Sequence, residues 1–358
     1  MNKNEILTKI QSDEIILNTS IDNIDFSEID LKGVRFENIT FNSCNFSNSA
    51  IAKTGFKNST FTTCSFENVN FEKLFWQKLT LNKCSFIGAN LSKSTFIELD
   101  FSNSDFTKAN LTQTNFIKST LNEVLFNKTI FFKTSFSQGS ACKATFNECD
   151  IVKSSFFKTD MSSVLFIKTD LNRVVLMECA LQKQNFSNAT LHMVQFNKSD
   201  LTQSCFDGSD LFLSNFSSSI LDFCTFINAK CKNTIFANAS LIKADFTSSF
   251  SYQANFNEAN LESTIFTNAN IEQSSFIAAK CNMTNFSDAN AAYSNFNYVN
   301  FDTALLFRTN FSFAKMHKTT FKDCDLKNAE CLGLTKTNEA LHRAEEWNPP
   351  KSILRTTS

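Results

Sequence analysis

Bulky apolar residues recur at every fifth position of this chain. In "FNSCNFSNSAIAKTGFKNSTFTTCSF", residues 41–66, the centres are Phe41, Phe46, Ile51, Phe56, Phe61 and Phe66. An amphipathic helix repeats its apolar face at about 3.6 residues and a strand at about 2, so neither element alone accounts for a period of five. From Ile21 to Cys331, 63 consecutive positions keep this spacing without insertion or deletion, and 34 of the 42 phenylalanines fall on them. An unbroken frame of that length argues against separate domains joined by linkers. So do the six glycines and two adjacent prolines, Pro349 and Pro350, which are far fewer than average usage would supply.

The residue two before each centre obeys a second rule. It is nearly always small, as at Cys44, Ser49, Thr54, Ala89, Ala109, Ala239 and Ala254, and larger toward the N-terminus at Ile24, Ile29, Val34 and Ile39. The other three places are mostly Asn, Asp, Ser, Thr, Lys or Glu. Each five-residue unit therefore turns one large and one small side chain inward and three outward. One such unit cannot bury its apolar face, but stacked units can. Centres ending in 6 are mostly Phe and those ending in 1 mostly Leu or Ile. With four units per coil, Phe occupies two opposite faces and Leu/Ile the other two, which fills a narrow square core evenly. The weak centres are Ala141, Cys231, Ser251, Cys281, Ala291 and Cys331, and Gln184 is the polar misfit in the small slot. A buried amide either finds partners or forces the backbone to bulge.

The units "ANLSK", "ADFTS", "ANFNE", "ANLES" and "TNFSD" resemble the pentapeptide repeat family, whose unit is A-(D/N)-(L/F)-x-x. The resemblance covers roughly residues 16–333. It implies an all-β fold, a right-handed quadrilateral β-helix with four units per coil. Phe in excess of Leu, and Ser, Thr or Cys in place of many Ala, change core volume without threatening that fold. At roughly 4.8 Å per coil, about sixteen coils and a rod roughly 75 Å long are expected.

Open solenoid ends aggregate unless covered, and both termini read as covers. "NKNEILTKI" spaces Ile6, Leu7 and Ile10 as on a helix. "TNEALHRAEEWNPP" reads as a helix capped by Thr337 or Asn338, with Leu341, Ala344 and Trp347 on one face and the prolines as its stop. The expected organisation is an N-terminal helical cap over 1–15, the β-helix over 16–333, and a C-terminal helix and tail over 334–358. Beyond shielding an edge, Leu341 and Trp347 are candidates for a dimer contact, which the resemblance also permits. Monomer and cap-mediated dimer both stay open.

Catalysis finds little support in the residues. His192, His317 and His342 stand far apart in outward or terminal slots, so no Ser/His/Asp or Cys/His set can be assembled. Six glycines leave no phosphate loop. Seven cysteines (Cys44, Cys64, Cys84, Cys149, Cys179, Cys224 and Cys324) occupy the small inward slot. A straight ladder of thiols does not converge on a tetrahedral metal, and a small buried hydrophobe fits better. No enzyme activity, cofactor or metal is expected. Twelve cysteines without an apolar leader suggest free thiols in a reducing, cytoplasmic setting, with export by a dedicated system left open. No run approaches the roughly 20 apolar residues of a membrane span.

The outward positions hold the functional candidates. Residues twenty apart should stack in one column. One column contains Lys53, Lys73, Lys93, Gln113, Lys133, Lys153 and Arg173, and residues 50–199 hold 17 Lys/Arg against 11 Asp/Glu. Like charges this close repel, unless acids such as Glu72, Asp150 and Asp170 neutralise them. Further along, Phe212, Leu213, Phe250, Tyr252, Tyr293 and Phe313 take outward slots, though a one-residue slip at Ser251 would turn Phe250 or Tyr252 inward. A weaker stripe is Ile97, Ile117, Phe157 and Met177.

These features suggest a non-enzymatic binding rod, a scaffold or adaptor presenting a basic and aromatic face to a protein partner. The resemblance offers two alternatives. One is a DNA mimic directed at type II topoisomerases, which needs an acidic rod, whereas the net charge here is −1. The other is a bacterial secretion-system component or injected effector. Direct nucleic-acid binding is not expected at this charge. The Asn/Lys/Ile/Phe bias points to a bacterial chain.

Overall fold

The computed structural model describes residues 2–51 and 53–346. In it the period of five becomes a coil of twenty. β1 (Ile16–Asp22) runs parallel to β2 (Arg35–Asn42), setting Ile16 against Phe36 and Ile21 against Phe41. The same offset still holds where Lys315 meets Thr335. The chain is thus a parallel β-solenoid with four five-residue units to the coil. It divides into two compact units, Met1–Cys205 with Asp210–Ile220, and Phe206–Ser209 with Leu221–Ser358.

Each slot has a physical reason. Nearly all centres are buried, and those twenty apart stack. In the first unit Phe46 lies 5.0 Å from Phe66 and Phe136 lies 4.7 Å from Phe156; in the second, Phe226 lies 4.4 Å from Phe246. Phe226 and Phe236 meet edge to face at 5.7 Å across the core, so the rings use both favourable aromatic geometries. The small slot tolerates Ser, Thr and Cys because most of them donate to the carbonyl of a centre 23 residues earlier. Thr54 Oγ1 reaches Leu31 O at 2.7 Å, Thr264 Oγ1 reaches Leu241 O at 2.8 Å, and Cys44 Sγ reaches Ile21 O at 3.2 Å. Such a bond offsets the cost of burying the hydroxyl and adds about 1 kcal/mol net.

Asn or Asp just before a centre closes the turn after it. Asp105 Oδ1 accepts from Thr107 N–H at 2.8 Å, and Asn310 Oδ1 from Ser312 N–H at 2.9 Å, an Asx-type arrangement. The second residue after nearly every centre then takes a left-handed conformation, as at Asn48 (φ 57°), Lys133 (φ 58°) and Tyr293 (φ 60°). Some units of the first half open into a three-residue strand around the centre. On one face β5 (Phe75–Gln77), β7 (Thr95–Ile97), β8 (Asn115–Ile117), β10 (Ser135–Ser137), β12 (Ser155–Phe157) and β14 (Val175–Met177) make six strands. β9 (Leu125–Asn127), β11 (Thr145–Asn147) and β13 (Leu165–Ile167) make three. β1, β2, β3 (Gly55–Lys57), β4 (Thr60–Thr62) and β6 (Thr80–Asn82) make five. The deepest sheet therefore counts six strands, short of the sixteen coils expected from the centres. Past Met177, parallel contact between coils is made by single bridges.

Short helices flank the repeats. α1 (Lys3–Gln11) begins with a capping box between Asn2 and Glu5, buries Ile6, and leaves Leu7 and Ile10 half-buried. α2 (Glu339–Glu346) is capped by Asn338, whose Oδ1 accepts from Ala340 and Leu341 N–H at 3.0 and 3.1 Å. Trp347 lies outside the described residues. α2 does not seal the last coil as expected. It is held through Glu345 to Tyr298, His317 and Lys318, while Leu326, Cys331 and Leu332 stay exposed beside an apolar cavity lined by Phe311, Met316 and Phe321.

Candidate protein-interaction surfaces

The residues of the basic column all lie within the first unit. Lys53, Lys73, Lys93, Gln113, Lys133, Lys153 and Arg173 all sit in the left-handed slot, with φ between 58° and 64°, and all are exposed. Only Gly, Asn and Asp adopt this conformation readily; other residues incur roughly 1–2 kcal/mol. The fold's geometry therefore does not favour lysine here.

Neighbouring columns show how the fold ordinarily arranges charge. Lys128 and Lys168 flank Glu148 at 3.6 and 3.8 Å, Lys143 meets Glu123 at 3.4 Å, Lys158 meets Glu178 at 3.3 Å, and Lys78 meets Glu98 at 4.0 Å. In each of these columns at least one Glu stands twenty residues from a Lys. The column from Lys53 to Arg173 contains no acid. Glu72, beside it, bridges Lys93 at 3.0 Å and Lys73 at 3.7 Å, and its hydrogen bond to Lys93 holds its carboxyl below the usual range. Asp150 and Asp170 do not neutralise the rest. Their Oδ1 atoms accept from Val152 N–H at 3.3 Å and Asn172 N–H at 2.8 Å. Lys133 and Lys153 instead lean over the ring of Phe132 at 5.3 and 5.7 Å. Among the described residues, no acid forms an ion pair with Lys133, Lys153 or Arg173.

Phe212 also lies in the first unit. It is half-buried and packs edge-on against His192 at 5.9 Å, and His192 Nε2 lies 3.1 Å from Asp210. A cavity of about 350 Å³ joins these residues to Arg173 and Asn172. The stripe of Ile97, Ile117, Phe157 and Met177 lies half-buried on the six-stranded sheet.

In the second unit no slip occurs at Ser251. That serine is fully buried, Phe250 is 42% exposed and bridges Lys230 and Asn270, and Tyr252 is half-buried. Phe250 and Tyr252 stack at 6.0 Å, and Lys232 approaches the Tyr252 ring at 5.8 Å. Down the next column Gln253 donates to Gln273 at 3.0 Å, and Tyr293 stacks on Phe313 at 5.0 Å. Leu341 is exposed on α2.

Sequence reasoning missed the docking of α2. His317, read as an outward residue, is only 4% exposed. Its Nδ1 accepts from Asn338 N–H at 3.1 Å, and its Nε2 lies 3.3 Å from Glu345. Lys318 reaches the same carboxylate at 2.8 Å, and the Tyr298 hydroxyl donates to it. Lys318, then Tyr298, pull the Glu345 carboxyl down to about 2. The partners lie 27 to 47 residues from Glu345, which is itself beyond the repeat, so no periodic signal marks the contact.

All twelve cysteines are free thiols. Burial pushes Cys149 up to about 11 and Cys179 up to about 12, which suits inert core residues. Among the described residues no group of His, Cys, Asp or Glu could hold a metal ion, and no helix is long and apolar enough to cross a membrane.

Near-identical turns that bury one large and one small residue, and carry their chemistry in surface columns, define a repeat solenoid. The chain belongs to the pentapeptide repeat family: the model described as "Pentapeptide repeat region" matches residues 79–156, and that described as "Pentapeptide repeats (8 copies)" matches 175–211, 219–249, 254–290 and 284–328, together more than half of the chain. No curated protein matches the sequence. Among solved structures the chain is similar to HetL, a pentapeptide repeat protein involved in heterocyst differentiation regulation from the cyanobacterium Nostoc sp. strain PCC 7120, at 18% identity over 74% of this chain and 88% of that one, with a TM-score of 0.16. It is similar to full-length QnrB1, a plasmid-mediated fluoroquinolone resistance protein, at 14% identity over 48% of this chain and 98% of that one, with a TM-score of 0.24. A pentapeptide repeat protein of the Arabidopsis thaliana thylakoid lumen aligns at 26% identity over 28% of this chain and 63% of that one, with a TM-score of 0.13. Proteins of this family are generally structural or protein-interacting.

Proposed function

We propose that the chain is a non-enzymatic scaffold or adaptor that presents its surface columns to a protein partner. The observation that carries this reading is the contrast between columns: the others interleave Lys with Glu, and the one from Lys53 to Arg173 does not. Uniform positive charge adds nothing to stability, so a partner's acidic surface is its natural counterpart. In the second unit, Phe250, Tyr252, Tyr293 and Phe313 supply the aromatic anchors that interfaces favour. A basic column also counts against imitation of a DNA duplex. The test is an affinity pull-down from the native host comparing wild type with Lys73→Glu, Lys93→Glu and Lys133→Glu combined. Loss of one partner from an otherwise folded variant supports the reading. Retention of every partner overturns the basic column as the site.

A further inference from the structure

Among the described residues the ladder between coils is interrupted between β3 and β5 and again ahead of β13, and the second interruption is the wider. β13 pairs backward with β11, matching Leu165 to Thr145 and Ile167 to Asn147, and ends its sheet there. The segment that should continue the sheet, twenty residues on, pairs only forward: Asn185 bridges Cys205 and Thr190 bridges Asp210. On the adjoining face the same two coils stay joined, with Val175 bridging Gln195 and Arg173 N–H donating to His192 O at 2.9 Å. The opening is therefore a wedge, closed at Arg173 and open along Leu165–Leu171. In most coils the N–H groups of a centre, and of the residue two after it, donate to the following coil, as from Phe131 to Asp150 O at 2.8 Å and from Lys128 to Asn147 O at 2.8 Å. Those of Phe166, Lys168 and Leu171 find no such acceptor among the described residues, nor do the N–H groups of Asn185 and Thr190 reach back across the gap.

Packing loosens at the same point. Phe166 is half-buried, whereas almost every other phenylalanine centre is fully buried. Its ring lies 5.3 Å from Phe146 behind but 6.4 Å from Phe186 ahead. Gln184, the oversized amide in a small slot, stands beside the opening with its side chain buried. The gap measures about 500 Å³, within the range of ligand sites, and is lined chiefly by Phe166, Thr169, Leu171, Ala189 and Leu191, with Lys168 and Asp170 among its polar groups.

An unpaired strand edge is a template for another strand. We propose that β13 is a strand-addition site for an extended segment of a partner protein, apolar at its first positions and acidic at its last. The backbone of that segment takes up the free N–H and C=O groups of β13. Its apolar side chains meet Phe166 in the cleft and the exposed Leu165 and Ile167 outside. Its acidic end reaches Lys168 and Arg173, the latter at the closed corner. The acid already there, Asp170, is engaged by Asn172 N–H at 2.8 Å. This site rests on other residues than the pull-down variant alters, so either can fail alone.

The probe is a fluorescein-labelled peptide, Val-Phe-Val-Asp-Asp-Ser, together with the same peptide N-methylated along its backbone, each titrated onto the full chain with hydrogen exchange as the second readout. The amides of Phe166, Lys168 and Leu171 should exchange at least tenfold faster than the paired amides of Phe131 and Lys128. The plain peptide should slow them by at least tenfold, and the N-methylated one should bind at least tenfold more weakly. Leu165→Lys with Ile167→Lys, both at exposed positions, should weaken the plain peptide similarly while leaving the circular dichroism spectrum unchanged. Amides already protected without peptide, equal binding of the N-methylated peptide, or protection elsewhere would each overturn the proposal. So would protection that grows with protein concentration alone, which would assign the edge to a second copy of this chain.

Discussion

The two units use one repeat and differ in how evenly they apply it. In the second unit almost every turn is the same: a single bridge, an Asn or Asp closing the turn in most units, and stacked rings such as Phe236 on Phe256 at 4.9 Å and Phe256 on Phe276 at 4.8 Å. The first unit mixes such turns with short strands, places more ion pairs between coils, and leaves the edge of β13 open. Regularity goes with a small slot that is mostly Ala, Ser or Thr from Ala229 to Ala314, and irregularity with Leu74, Leu79, Leu99 and Gln184 in that slot. The register tolerates such exceptions, and the ladder that follows it need not.

The largest expected effect sets one ring against another. Phe246→Ala removes a ring stacked at 4.4 and 4.9 Å on both sides and should cost about 3–5 kcal/mol in denaturant unfolding. Phe166→Ala, at the open edge, should cost less than about 2 kcal/mol because that ring is already half solvated and its site can relax. Equal losses would show that the edge is closed in solution.

The next effect concerns the end of the second unit. Glu345 has its carboxyl lowered from 4.5 to about 2 by Lys318, Tyr298 and His317. A lowered carboxyl stabilises the docked helix fully above its free value, and that contribution fades as pH falls from about 4.5 through about 2. Hydrogen exchange of α2 should therefore rise across that window while Phe256 and its neighbours stay protected. Glu345→Gln should abolish the dependence.

A smaller effect tests the left-handed slot. Lys133→Asn should stabilise the first unit by about 0.5–1 kcal/mol, since Asn tolerates that conformation and Lys does not. A loss of stability instead would mean that the contact of Lys133 with Phe132 outweighs the backbone preference. Least of all, Lys143→Ala should change stability by no more than about 0.5 kcal/mol, because its partner Glu123 is exposed. A loss above about 1 kcal/mol would make the interleaved columns structural rather than incidental.

Much of this architecture was legible because it repeats. The centres, the small slot, the thiol ladder and the lysine column all follow from counting by five and by twenty, and Gln184 stood out as the residue breaking the rule. Local hydrogen bonding was harder to foresee. Asp150 and Asp170 look like counter-ions for Lys153 and Arg173, yet each accepts from a backbone N–H two residues on. His317 occupies an outward slot and is buried by a helix that lies beyond the repeats. The open edge leaves no trace in the spacing, because the chain keeps its count through the gap.

The twenty-residue register separates two properties that most folds entangle. Within a unit, removing twenty residues would delete one rung and leave every surface column in line. Removing five would keep the core pattern but carry each later residue a quarter-turn round the axis, onto a different column. Rung number and azimuth are thus independent settings of this sequence: a change in multiples of twenty alters how many contacts a column can make, and a change of five alters which column makes them.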